Sequence, residues 1–280
     1  MGVSRMNKCA EHIRMKDDAL IEGQFVSDYS EFAMRMNFHA VAALLEKART
    51  ISDHIEQKSI CLSGLQLRYS SYEDFALLLH AFRNKINGKN LHLTLGVEDQ
   101  PRKGSTSLPR IFKHFTSARE MLDNFGFTSI THERLSPYEI TEDQIEERFR
   151  DVADSIKGMG SEQDAFNDYK NKLKHGKPVV ESITGKGDPN HVAFLRWTEK
   201  SGEPVLEFHW LPASLEQLEV ATIQISKIYI VSLELLWLFM MQYYPDLAEN
   251  YLKNTVLKCM SDTVERVRSL GLNSEGLTYI

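Results

Sequence analysis

The chain has 280 residues, of which 42% are hydrophobic and 26% charged, and its formal net charge is -6. This composition excludes wholesale disorder, because the apolar fraction is large enough to bury a core. The net negative charge argues against a protein whose whole surface wraps nucleic acid, although it permits a local basic site. The length exceeds that of a usual single domain, but one large helical domain also fits it.

The first half of the chain predicts helices separated by one long loop. Apolar residues recur at helical spacing over 25–51, which predicts an amphipathic helix of about seven turns. The stretch S-Y-E-D begins a second predicted helix at Ser71, which runs to about Asn87 and is ended by Gly88. Residues 89–109 read as a loop with a possible short strand.

The middle of the chain predicts further helices. A helical pattern spans Ile111 to Leu122 and stops at N-F-G-F. A turn at Ser136-Pro137 leads into the acidic run 139–151, which predicts a helix with a solvated face. After a glycine-containing break, another helix is predicted from Ser161 to His175.

The last third combines one hairpin with the most apolar helix. Residues 191–211 are rich in β-branched and aromatic residues around the turn S-G-E-P, which predicts a β-hairpin. Pro212 and Ser214 open a long helix that Pro245 closes, and a last helix covers about 246–270.

One stretch of the long helix requires a membrane test. Residues 228–241 are almost entirely apolar, but the run is short for a membrane span and carries Glu234 in its middle. We therefore expect a helix that is buried by neighbouring helices, and no membrane partner.

These elements predict a mainly α fold, an up-and-down helical bundle with a small inserted β-hairpin near 191–211. We expect an N-terminal tail over 1–16, the bundle over 17–245, and a C-terminal helix with its tail over 246–280.

The N-terminal sequence and the cysteines indicate the cellular compartment of the protein. The N-terminal sequence has no apolar core for a signal peptide, and Met6 stands where a myristoylation signal has a hydroxyl residue. Three scattered cysteines, Cys9, Cys61 and Cys259, predict neither a disulfide framework nor a metal site. We expect a cytoplasmic protein without a metal or cofactor.

The strongest candidate site is the stretch Y-K-N-K-L-K-H-G-K-P at 169–178. It contains four lysines and a histidine without any acidic residue: Lys170, Lys172, Lys174, His175 and Lys177. One interpretation is structural. Basic side chains at a helix end oppose the helix dipole, and Gly176 and Pro178 would end the helix there.

A second interpretation is chemical. Lysine, asparagine and histidine supply a cation, an orienting amide and a group that exchanges protons near neutral pH, which together suit a phosphodiester. Asn171 and His175 share a helix face, but Lys170 and His175 lie about 140° apart on one helix. Their convergence on one phosphate needs an unwound helix end or a second chain across a two-fold axis.

The residues K-N-K-L-K-H-G resemble the R-N-x-x-x-H signature of HEPN domains. The resemblance implies a helical, often dimeric protein that can act as a metal-independent endoribonuclease. It further implies that His175 is the acid/base, that Asn171 supports it, and that Lys170 stands where the family carries arginine. Lys172, Lys174 and Lys177 would then bind RNA phosphates. The departure matters, because arginine holds two phosphate oxygens at once whereas lysine is a mobile point charge.

Two function classes stay open. The chain is either a homodimeric ribonuclease that uses this site, or a non-catalytic HEPN-like scaffold that binds a nucleotide, RNA or a protein. Two other basic stretches also have structural interpretations. F-R-N-K-I-N-G at 82–88 lacks the histidine and is typical of a capped helix end. The basic residues over 102–119 favour a solvated face that offsets the acidic run, with an RNA-facing patch as the alternative.

Overall fold

The computed structural model describes residues 34–88, 117–127, 135–158, 179–180, 190–200, 203–275 and 277. Over these residues the chain is mainly helical with a small antiparallel sheet, which confirms the predicted fold class. The expected N-terminal tail at 1–16 and the predicted helix at 161–175 lie outside the described residues.

The first two helices form an antiparallel pair against the core. Helix α1 spans Arg35–Thr50 and helix α2 spans His54–Ile86. The prediction that α2 begins at Ser71 is wrong. Asp53 caps α2, because its carboxylate accepts hydrogen bonds from the N–H groups of Ile55 and Glu56.

Ser71 lies in the interior of α2 instead, where its hydroxyl donates to the carbonyl of Leu67 at 2.9 Å. The far end of α2 is as predicted, since Gly88 adopts a left-handed conformation with φ of 66°.

Two helices follow. Helix α3 spans Ala118–Asn124 and is ended by the turn at Gly126, which has φ of 87°. A 3-10 turn at Ser136–Tyr138 precedes helix α4, Glu142–Gly158, as the Ser-Pro turn and the acidic run predicted. Thr141 and Gln144 cap α4 reciprocally, with each side chain accepting from the backbone N–H of the other.

The sheet has the order β1-β2-β3, with strands β1 (Val179–Val180), β2 (His191–Lys200) and β3 (Glu203–Pro212). The hairpin is confirmed, but its loop is shorter than predicted. Lys200 pairs with Glu203, so Glu203 and Pro204 belong to β3 rather than to the turn. Val192 and Leu211 at the base of the hairpin are buried and join the helical core.

Helix α5, Leu215–Tyr243, is the centre of the core, and the side chain of Ser214 caps it. Within the described residues this one helix is long and apolar enough to cross a membrane, but 83% of its most apolar 18-residue window is buried inside the protein. That burial is typical of a core helix, as its glutamate predicted. Gly64 of α2 permits close approach to α5, because a Cβ there would overlap Leu218.

The C-terminal helices pack on α5 and α1. Pro245 begins helix α6 (Pro245–Tyr251), which is joined by a π-helical turn at Leu252–Val256 to helix α7 (Leu257–Ser269). Gly271 has φ of 68° and ends α7 as predicted. Arg49 at the end of α1 donates to the carbonyl of Leu270 at 2.6 Å, which fixes α7 beside α1.

Candidate functional site

The stretch 169–178 falls in the part of the chain between α4 and β1 that the structure does not describe. Its predicted site residues are therefore untested by the structure: Lys170, Asn171, Lys172, Lys174, His175 and Lys177. They remain the candidate catalytic and phosphate-binding residues on the sequence pattern alone.

The second basic stretch, 82–88, is a helix end. Asn84 is buried in α2, and Gly88 ends the helix with the left-handed backbone described above. The ammonium group of Lys85 lies 5.5 Å from the ring centroid of Tyr243 and 5.7 Å from that of Phe239. These contacts tie α2 to the end of α5, and they agree with the structural interpretation.

The basic segment 102–119 is described only at its last residues. There the guanidinium of Arg119 bridges three carboxylates, those of Asp123, Glu142 and Glu146, at 3.0, 3.0 and 3.6 Å. Arg119 therefore offsets the negative charge of helix α4, as the interpretation of 102–119 as a solvated basic face predicted. The earlier basic residues of the segment lie outside the described part.

A group of polar side chains meets where α1, α2 and α5 pack together, and sequence reasoning missed it. Asn37, Ser71, Asp74 and Tyr229 line a crevice there that is too narrow to hold a water molecule. The amide of Asn37 donates to a carboxylate oxygen of Asp74 at 3.2 Å. Burial raises the pKa of Asp74 to about 6, although the Asn37 hydrogen bond opposes the rise.

A charged cluster joins α1 to α7. The Arg35 guanidinium donates to Nε2 of His39 at 3.1 Å, and Asp262 lies 3.7 Å from Arg35. Arg266 pairs with Glu46 at 2.6 Å. Burial lowers the pKa of His39, and the charges of Arg35 and Arg266 lower it further. A neutral imidazole accepts the Arg35 bond, so the cluster fastens two helices.

A buried ion pair joins α4 to α5. Arg148 lies 2.7 Å from Glu234, and their side chains are only 9% and 1% exposed. Nearby, Lys227 pairs with Asp151 at 2.9 Å. Glu234 is the residue that interrupts the apolar run 228–241, and its partner cannot be found from spacing because it comes from another helix.

Among the described residues no group of three or more His, Cys, Asp or Glu side chains is placed to hold a metal ion. Comparison of the chain with family models, with curated proteins and with solved structures found no match. The resemblance to HEPN domains therefore rests on the stretch 169–178 and on the helical composition of the chain.

Proposed function

We propose that this chain is a HEPN-like cytoplasmic protein that cleaves RNA without a metal ion, through a site that two copies of the chain form together. The observation that supports it is the stretch K-N-K-L-K-H-G, which contains a cation, an amide and an imidazole within a few positions of the sequence and no acidic residue. The helical fold of the described residues agrees with this class, although a fold by itself does not specify an activity.

The proposed chemistry is transesterification. The imidazole of His175 takes the proton from a ribose 2′-hydroxyl, whose oxygen attacks the adjacent phosphorus. The bond to the 5′-oxygen of the next nucleotide breaks, and that oxygen leaves with a proton donated by the protonated imidazole of His175. Lys170 and Asn171 stabilise the negative charge on the phosphorus oxygens. Lys172, Lys174 and Lys177 bind the flanking phosphates, an electrostatic contact without base specificity. The products carry a 2′,3′-cyclic phosphate and a 5′-hydroxyl.

The test is cleavage of a labelled single-stranded RNA in the presence of EDTA, with analysis of the product ends. We expect cleavage by the wild type and at least a hundredfold slower cleavage by His175→Ala, in line with the usual contribution of a general acid/base. His54→Ala is the matched control, because His54 is an exposed histidine at the start of α2. Lys170→Arg should accelerate the reaction, since it restores a fork that binds two oxygens.

Intact RNA at near-stoichiometric protein, with both the wild type and Lys170→Arg, would end the ribonuclease proposal. One observation favours a second candidate. Lys170 lacks the planar guanidinium with which an arginine binds two phosphate oxygens at once. This difference suits a non-catalytic HEPN-like scaffold that binds RNA, a nucleotide or a protein. In that case His175→Ala changes binding, assembly or thermal stability, and no variant shows turnover.

A further inference from the structure

Strand β3 is an outer strand of the described sheet. One hydrogen bond shows which of its backbone N–H and carbonyl groups face β2 and which face outward. The N–H of Ala213 donates to the carbonyl of Asn190 at 2.6 Å, in register with the pairing of β2 and β3. Hydrogen-bonded and non-bonded pairs alternate along an antiparallel ladder. The odd-numbered residues of β3 therefore bond to β2, and the even-numbered residues direct their backbone groups away from it.

The even-numbered positions include both prolines of the strand. Pro204 and Pro212 lack an N–H, so neither can donate at the outer edge. Three residues between them, Leu206, Phe208 and Trp210, keep an N–H and a carbonyl that face outward. Within the described part of the chain, no further strand pairs with this edge. The prolines thus bound a short window whose outward N–H and carbonyl groups have no strand partner among the described residues.

This window reads nearly the same in both directions. Residues equidistant from Phe208 are of matching or complementary chemistry, as the sequence P-V-L-E-F-H-W-L-P over 204–212 shows. The two ends are prolines, the next positions are the aliphatic Val205 and Leu211, and the next are large and apolar. When a strand pairs antiparallel with its own copy, residues equidistant from the two-fold axis lie opposite each other.

We propose that the outer edge of β3 is a dimerisation surface, on which a second copy of this chain adds its own β3 antiparallel about a two-fold axis through Phe208. Leu206 then stands opposite the partner's Trp210, and Glu207 opposite the partner's His209, each twice over. The outward backbone groups of Leu206, Phe208 and Trp210 all gain partners, and the sheet becomes a continuous six-stranded sheet.

Side-chain exposure agrees with an apolar partner. Leu206 is 41% exposed and Trp210 is 46% exposed, and both lie on the same face of β3 because strand side chains alternate. Tryptophan is enriched at the centres of protein interfaces. Edge strands that stay unpaired commonly carry lysine, whereas Glu207 is the one acidic residue and no lysine or arginine occurs within 205–211. A second copy of the chain fits this surface, because residues at symmetric positions of β3 complement each other.

The proposal rests on β3 alone and stands whether or not the chain cleaves RNA. The first test is sedimentation of the wild type across the micromolar range. We expect a monomer–dimer equilibrium that Trp210→Lys weakens by about tenfold or more, the loss typical of a central interface residue. Leu257→Lys, which alters an apolar side chain that is 43% exposed on α7, is the control and leaves the equilibrium unchanged.

The second test fixes the register by disulfide crosslinking in a Cys9→Ser background, in which the described cysteines, Cys61 and Cys259, are buried. Phe208→Cys lies on the proposed axis, so it should crosslink to its own copy, because a hydrogen-bonded antiparallel pair has Cα atoms about 5.5 Å apart. Leu206→Cys and Trp210→Cys should crosslink when mixed and much less when each is alone.

A wild type that sediments as a monomer at every concentration overturns the proposal, as does a dimer that none of these cysteines crosslinks. A dimer that crosslinks in this register but does not cleave RNA supports the dimerisation surface and contradicts the ribonuclease proposal. An RNA-cleaving dimer that none of these cysteines crosslinks overturns the surface and leaves the ribonuclease proposal standing. RNA cleavage by a wild type that sediments as a monomer overturns both the surface and the active site formed by two copies.

Discussion

Asp74 shows how one partly buried carboxyl makes stability depend on pH. Its pKa is raised to about 6 from an ordinary value of 3.8, so the folded protein favours the protonated form. The stabilisation that this provides is fully present below about pH 4 and is lost as the pH rises through 6. The free energy of unfolding therefore carries a penalty at neutral pH from this side chain, at most about 3 kcal/mol for a shift of this size.

We predict that Asp74→Asn, which mimics the protonated carboxyl, raises the free energy of unfolding at pH 7.5 and has little effect at pH 4. Urea unfolding at a series of pH values measures the difference between variant and wild type. Glu265→Gln is the control, because it removes an exposed carboxylate on α7, away from Asp74. An Asp74→Asn effect that is constant between pH 4 and 7.5 would contradict the raised pKa.

At the scale of elements, local chemistry predicted most helix ends and strands but not the start of α2. The S-Y-E-D pattern at Ser71 has the form of a capping box, and so does D-H-I-E at Asp53. Both sides of α2 are buried along much of its length, so apolar periodicity does not separate one long helix from a helix that starts midway. The structure uses the earlier cap, and Ser71 turns its hydroxyl back to Leu67.

The hairpin was predictable because its signals are local, namely two runs of β-branched and aromatic residues around a glycine turn. The grouping of Asn37, Asp74 and Tyr229 and the Arg148–Glu234 pair were not, because each joins side chains from different helices. Sequence spacing carries information about neighbours on one helix, and it carries none about which helices pack together. The proposed ribonuclease residues stay a prediction from local pattern, since they lie outside the described residues.

The Arg148–Glu234 ion pair joins α4 to α5 where both side chains are buried. We predict that Arg148→Met or Glu234→Leu alone lowers the free energy of unfolding by about 3–5 kcal/mol, because each removes the ion pair from a charge that stays buried. The double variant should recover most of the loss, since two apolar side chains of similar volume replace the pair. Chemical denaturation of the four proteins of this cycle gives the coupling energy.

The solvent-exposed pair of Lys253 and Glu249 provides the comparison for that cycle. Lys253→Ala should change stability little, because exposed pairs are screened by water. A double variant that loses the sum of the two single losses would mean that Arg148 and Glu234 act through separate contacts rather than through each other.

At the scale of the molecule, α5 connects the other helices. Its side chains meet those of α1, α2 and α4 on different sides, and Phe239 contacts both Phe82 of α2 and Tyr244 beyond its own end. Eighteen of its residues are buried, including its one central acid, so an apolar helix of membrane-spanning length is covered by protein. The hydrophobic face of each surrounding helix is buried against this one element, which makes the unfolding of α5 inseparable from the loss of the core.

We predict that the protein remains in the supernatant after high-speed centrifugation without detergent, and that amides of 228–240 exchange with solvent only through global unfolding. The outer turns of α7 serve as the internal comparison in hydrogen-exchange mass spectrometry, because α7 exposes one side to water and should open at lower free energy. Denaturant should lower the opening free energy of 228–240 with the full slope of global unfolding, and that of α7 with a smaller slope. Equal exchange in the two segments, or recovery of the protein only with detergent, would show that α5 is not enclosed by its own chain.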